Sequence, residues 1–278
     1  MFPTHTALRY AQPLREGGSL PALVETDAGL EVVKFRGAGQ GARALIAELV
    51  VGGMAESLGL PIPTVAVVEV AEGFGRAEPD PEIKDILRGS VGTNVGLAFV
   101  SGAFAYEHAA HADLVPPDLA ADVVWLDAFT TNIDRTPRNP NLLVARGADG
   151  PQLWLIDHGA ALYFHHDWPG VDTARAQTPF PAIKDHVLLP VASNIEDADR
   201  KLRPRLTPGV LEGVLEGVPD SLLMAAPAGR TPDFSTPDAA RQAYADYFQD
   251  RLRSTAWLDQ AEQARLAPPD TSPLAYRR

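Results

Sequence analysis

Asn132-Ile133-Asp134-Arg135-Thr136-Pro137-Arg138-Asn139-Pro140-Asn141-Leu142-Leu143, followed by Leu155-Ile156-Asp157-His158-Gly159, is the stretch on which both the fold and the chemistry turn. Between its two polar ends lie Leu142, Leu143 and Val144, then Arg146-Gly147-Ala148-Asp149-Gly150, then Leu153, Trp154, Leu155 and Ile156. Two apolar runs about a Gly- and Asp-containing connection predict a β-hairpin. Reflecting the numbering about that connection sets Asn139 roughly opposite His158, one residue from Asp157. Paired strands lie about 5 Å apart, so Asn139 and Asp157 are expected as neighbours at the open end of the hairpin. Asp134 stands five positions before Asn139 on the entering loop. A carboxylate, a carboxamide and a second carboxylate converging there would suit magnesium bound to phosphate, because that ion takes few protein ligands.

Composition bounds the alternatives. A chain of 278 residues, 45% hydrophobic and 22% charged, can bury a substantial core as one large domain or two lobes. The net charge of −12 repels polyanions, which argues against direct nucleic-acid binding. No apolar run is long enough for a membrane span, and Met1-Phe-Pro-Thr-His-Thr6 lacks the features of a secretory signal. Absence of cysteine excludes disulfides and thiolate chemistry and fits a cytoplasmic location. No nucleophile elbow, Walker-type phosphate loop or zincin motif occurs, and His165-His166, expected to point apart on a strand, do not have zinc-site spacing.

The order of elements predicts an α+β fold with a small β-rich lobe and a larger, mostly helical one. Strands are expected at 6–10, 20–26, 30–35, 64–70 and 90–100, with one main helix at 42–58 ending at Gly59 and Pro61. A Pro- and acid-rich loop is expected at 77–81. Helices are expected at 117–131, 206–218, 236–257 and 258–266, with a frayed tail over 267–278. Domain boundaries follow at 1–102 and 103–266.

Lys34 falls in Glu31-Val32-Val33-Lys34-Phe35, where alternation puts it with Leu30 and Val32 towards an apolar side. It is either an edge lysine reaching for water or a cation that needs an anion. Glu48 has Ala44, Leu45, Val51 and Gly52 as its helical neighbours, so it is expected to face the core and to require a partner. Lys34, fourteen residues earlier, is the obvious one, and Glu56 near the helix end is expected to face solvent.

Asp134, Asn139 and the Asp157-His158-Gly159 turn together resemble the HipA-like kinases, compact bacterial relatives of the protein-kinase-like superfamily. Eukaryotic-type kinases carry His-Arg-Asp at this loop and aminoglycoside phosphotransferases His-Gly-Asp. Asn132-Ile133 before Asp134, Arg135 after it, and Asp-His-Gly in place of Asp-Phe-Gly lean towards HipA-like and phosphoinositide-type enzymes. The similar family also shows Lys-Phe-x-Gly-x-x-Gln-Gly, as in Lys34-Phe35-Arg36-Gly37-Ala38-Gly39-Gln40-Gly41.

The resemblance implies a two-lobed protein-kinase-like fold and transfer of the γ-phosphate of ATP, with Mg2+, to a Ser or Thr hydroxyl of a protein. It implies Asp134 as the residue that orients the hydroxyl, Asn139 and Asp157 as metal ligands, and Lys34, positioned by Glu48, on the phosphates. Gly17, Gly18 and Ser19 would form the phosphate-covering loop, with Ser19 open to self-phosphorylation, and Phe99 and Val100 would lie at the adenine. Arg135 or Arg138 would face the transferring group or a local phosphate. A small-molecule or lipid kinase, a nucleotidyl transferase and a non-catalytic nucleotide-binding protein stay open on the same core. Toxin-type HipA has an extra region ahead of the kinase strands, so a toxin role and an antitoxin partner are not implied. The sequence does not set the oligomeric state.

Overall fold

The computed structural model describes residues 1–14, 20–39, 41–147, 150–226 and 230–267. The first part comprises β1 (Thr4–Pro13), β2 (Ala22–Thr26), β3 (Gly29–Lys34), α1 (Gly41–Leu58), β4 (Val65–Val70), α2 (Pro81–Arg88) and β5 (Gly92–Ala98). Its five strands do not stay an open sheet. They close into a barrel in the order β1-β2-β3-β5-β4, because β1 is long enough to pair with two partners. Its start runs parallel to β4 through Thr4–Val67, His5–Val68 and Thr6–Glu69, and its remainder runs antiparallel to β2 from Ala7–Thr26 to Pro13–Ala22. Register shifts between Ala7 and Arg9 and between Tyr10 and Gln12 bend the strand around the closure.

Ala7, Ala22, Val24, Val33, Phe35, Val68 and Val70 form a small core with Ile83 and Leu87 from α2. The expected loop is present up to Asp80, and helix α2, which the sequence reading did not anticipate, follows it directly. Asp80 accepts from the Glu82 N–H at 3.0 Å and Pro81 occupies the first turn, a start signal that the acidic surroundings obscured.

The remainder comprises β6 (Phe104–Ala105), α3 (His108–His111), α4 (Pro117–Phe129), β7 (Leu142–Gly147), β8 (Gly150–Leu155), α5 (Thr173–Ala176), α6 (Ile195–Leu202), α7 (Pro208–Glu216), α8 (Asp220–Leu223), α9 (Pro237–Leu252) and α10 (Ala256–Leu266). The fold is mixed α+β. The expected helix over 236–257 stops at Leu252 instead, and α10 starts at Ala256. Ser254 Oγ accepts from the Ala256 N–H, and the Trp257 indole donates to the Arg251 carbonyl at 3.0 Å. That break lets Trp257 turn inward beside Trp125 and Phe129, both ring pairs 5.5 Å apart. Of the tail, residues 268–278 lie outside the described residues.

Helix α1 is apolar on nearly every side because it is buried between the barrel and the helices α7 and α8. Gly52 makes this approach possible: a Cβ there would lie 2.8 Å from Val65 Cγ2 and 3.4 Å from Ile62 Cδ1. Gly52→Val should therefore lower stability by about 2–3 kcal/mol through overpacking, although valine is the better helix former. An unchanged urea midpoint would show that α1 is not wedged there.

Candidate active site

The hairpin pairs Leu142 with Leu155 and continues in register to Gly147 with Gly150, as its sequence predicts; residues 148 and 149 lie outside the described residues. One more rung follows, the Ile156 N–H on the Asn141 carbonyl at 3.1 Å. There the strands part. Asn141 (φ +51°) and Asp157 (φ +53°) both adopt the left-handed conformation, which Asn and Asp tolerate better than other side-chain-bearing residues. The entering chain turns back towards Asp134, and the leaving chain turns into Asp157-His158-Gly159.

Lys34 extends from β3, opposite Val95 of β5, and is buried. Its Nζ donates to Glu48, which α1 presents with no solvent exposure, and to Asp157 Oδ1 at 2.5 Å. Burial alone would lower the Lys34 pKa, but Glu48 and Asp157 outweigh it and hold the ammonium above its ordinary value. Burial likewise pushes Asp157 up, yet Lys34 and the Gly159 N–H prevail and keep it below the usual carboxylate range. Lys34, Glu48 and Asp157 therefore meet. Glu56, the rival carboxylate, is exposed.

Asp134 sits at the second focus. Its Oδ2 accepts from Asn139 Nδ2 at 2.7 Å and from Asn141 Nδ2 at 3.3 Å. Backbone bonds in both directions between Thr136 and Asn139, each 3.1 Å, fold the loop so that Asn139 faces Asp134. Asn141 is the residue that sequence reasoning missed. It is buried, its side chain reaches Asp134, and its carbonyl meets the strand one residue before Asp157. The signal was its place immediately before the apolar strand, at the end of the hairpin ladder.

Arg135 is not free to meet a phosphate. It is fully buried, and its Nε lies 2.5 Å from Asp127 Oδ2. Its Nη1 donates to the Asn141 carbonyl and, at 3.3 Å, to that of Ile156, while Nη2 lies 3.2 Å from His158 Nδ1. Arg138 stays exposed. Of the two residues expected at the adenine, Phe99 presents an exposed ring beside exposed Leu30, but its N–H is committed to the Leu30 carbonyl at 3.0 Å. Phe99 thus offers an apolar surface rather than a backbone donor, and Val100 is half-buried. Gly17, Gly18, Ser19 and Gln40 lie outside the described residues. His165 and His166 share a tight turn, not a strand, with ring centres 4.7 Å apart.

The donor set fits magnesium. Among the described residues no three His, Asp or Glu side chains converge as a metal cluster. The oxygens on offer are the Asp157 carboxylate and the carboxamides of Asn139 and Asn141, a hard, sparse set. Asp157 Oδ1 is committed to Lys34 and the Gly159 N–H, leaving Oδ2 without a protein partner among the described residues on a side chain 33% exposed.

Three buried histidines are held neutral. His158 accepts from Arg135, and burial with that cation lowers its pKa to about 3. His186 takes the Leu188 N–H on Nδ1 and donates Nε2–H to Asp127 at 2.9 Å, and burial lowers it in spite of that carboxylate. His165, on the Tyr244 hydroxyl at 2.9 Å, is lowered well below 6.5, chiefly by burial. Below pH about 6.5 the unfolded chain binds protons these folded residues refuse, so stability must fall with pH, by up to about 1.4 kcal/mol per pH unit for each histidine. Thermal unfolding between pH 7 and 4.5 should show this slope, and His165→Gln should reduce it. A flat profile would contradict the assignment.

No curated protein matches the sequence. Among solved structures, the proinflammatory kinase CtkA of Helicobacter pylori superposes with a TM-score of 0.52 at 13% identity, covering 95% of this chain and 98% of that one. At that identity the likeness shows a shared fold. Residues 11–173, more than half the chain and the span holding Lys34, Glu48, Asp134 and Asp157, match the profile of the HipA-like kinases, and the chain belongs to that family.

Proposed function

We propose that this kinase is an ATP- and magnesium-dependent phosphotransferase that moves the γ-phosphate to a Ser or Thr hydroxyl of a protein. The observation that carries the reading is the bridge from Lys34 to both Glu48 and Asp157, at the end of a hairpin whose other strand reaches Asp134 through Asn141. Residues 1–102 and 103–266 are read as two lobes with the nucleotide between them.

Asp157 and Asn139, with Asn141 beside them, would hold magnesium, which supplies charge neutralisation on the phosphate oxygens. Lys34, kept charged and aimed by Glu48, offsets the remaining negative charge of the α- and β-phosphates. Leu30, Phe99 and Val100 offer the base an apolar wall, and Gly17, Gly18 and Ser19 are read as the loop over the phosphates. Asp134 orients the acceptor hydroxyl and accepts its proton, with the two carboxamides fixing its carboxylate. Exposed Ile133, next to Asp134, and exposed Tyr163, whose N–H is tied to Thr131, give an apolar approach that suits a polypeptide acceptor.

Incubation with γ-labelled ATP, magnesium and cell lysate, followed by phosphoamino-acid analysis, tests the reading. Label on Ser or Thr of protein is expected. Label confined to small molecules or lipids would overturn the acceptor class, a transferred AMP would overturn the reaction, and ATP binding without turnover would overturn catalysis.

A further inference from the structure

One buried carboxylate ties the two halves of the site together. Asp127 lies on the last turn of α4, fully buried, and receives three hydrogen bonds. Asn132 Nδ2 donates to Oδ1 at 3.0 Å, while Arg135 Nε at 2.5 Å and His186 Nε2 at 2.9 Å donate to Oδ2. Two arms leave this hub. The first runs through Asn132, whose Oδ1 accepts the Asp134 backbone N–H at 3.1 Å. The second runs through Arg135, whose guanidinium holds the Asn141 carbonyl, the Ile156 carbonyl and His158 Nδ1.

Ile156 and His158 flank Asp157, and Asn141 and Asp157 are the two left-handed residues where the strands part. Side-chain-bearing residues keep that conformation when their surroundings over-determine it. Arg135 supplies that determination at both positions. His186 closes the hub from the other side, and the Val187 N–H returns to the Arg135 carbonyl at 3.0 Å. None of Asp127, Asn132 and Arg135 has access to a nucleotide, since each is at most 3% exposed.

We infer that Asp127 is a positioning residue which sets the separation of Asp134 from Asp157, through Asn132 on one arm and Arg135 on the other. The inference rests on the proposed kinase reading of those two aspartates. It separates two jobs that a purely structural ion pair would not: the Asn132 arm governs orientation of Asp134, and the Arg135 arm governs the geometry of Asp157.

Asn132→Ala, Arg135→Lys and Asp127→Asn test it in the full chain, with kcat, KM for ATP, the Mg2+ concentration for half-maximal rate, Mg2+-dependent ATP affinity by calorimetry, and melting temperature. Asn132→Ala should lower kcat by about 10²-fold, the cost of a misplacement near 1 Å, with the Mg2+ response unchanged. Arg135→Lys keeps the charge on Asp127 but not the forked reach, so it should raise the Mg2+ requirement and weaken Mg2+-dependent ATP binding. Asp127→Asn should show both defects. Asn132→Ala and Arg135→Lys losing rate and Mg2+ response together, in proportion to melting temperature, would overturn the inference, as would wild-type behaviour in both. A wild-type chain that turns over no ATP defeats the kinase reading instead. The inference is then judged on calorimetry alone, where Arg135→Lys weakens Mg2+-dependent ATP binding and Asn132→Ala does not.

Discussion

Asp134→Asn should reduce phosphoryl transfer by about 10²–10⁴-fold, the usual span for loss of a general base, while the KM for ATP moves little. The reason is local. The Asp134 carboxylate meets the hairpin through Asn139 and Asn141, while Lys34 bonds to Glu48 and Asp157, so in the proposed reading Asp134 serves the acceptor side of the site. Asparagine fills the same space and can still engage both carboxamides by rotating its amide. What it cannot do is take a proton. A variant with wild-type turnover would remove Asp134 from the chemistry; one that loses ATP affinity in proportion to rate would place it on the nucleotide instead.

Lys34→Met carries the second large effect, and it acts on stability as well as rate. Rate should fall by about 10²–10³-fold, as for loss of a fixed donor to developing charge. Stability should fall too, because Glu48 has no solvent exposure and loses the cation that offsets its burial. Removing one partner of a buried ion pair costs about 3–5 kcal/mol. Burial already pushes Glu48 above the usual carboxylate range with Lys34 in place, and loss of that cation should push it further up. The destabilisation of Lys34→Met should therefore shrink as pH falls, because protonation of the raised carboxyl relieves the stranded charge. Lys34→Met combined with Glu48→Leu should recover most of the stability and none of the activity. Recovery of both would mean that the pair is structural only.

The sequence carried the hairpin, the Lys34–Glu48 pair and the Asp134 loop because each rests on short-range constraints. Strand alternation fixes where Lys34 points, helix periodicity fixes where Glu48 points, and a hairpin register follows from the positions of its apolar runs. Closure of the barrel was not legible, since the pairing of His5 with Val68 depends on a contact between strands sixty residues apart. Helix α6 escaped notice for a related reason. Its Asn194 cap and the Ile195, Ala198, Leu202 face are ordinary start and packing signals, but they follow a long irregular stretch that only tertiary contacts order. Arg135 was misjudged because an arginine beside a catalytic-type aspartate reads as a phosphate ligand. Its actual partner, Asp127, is two residues before the end of α4, and nothing local signals that its carboxylate points inward. The backbone of Asn139 bonds to Thr136 instead of extending the ladder, a local fold-back that the apolar pattern of the hairpin does not signal.

A crystal structure of the chain with magnesium and a non-hydrolysable ATP analogue would decide whether these groups serve one nucleotide. Asp157 Oδ2 and a carboxamide oxygen from Asn139 or Asn141 are predicted on the ion, Lys34 Nζ on the α- and β-phosphates, and Asp134 open to solvent beside the γ-phosphate. A nucleotide bound elsewhere, with Lys34 and Asp157 still facing only each other and Glu48, would contradict the whole assignment.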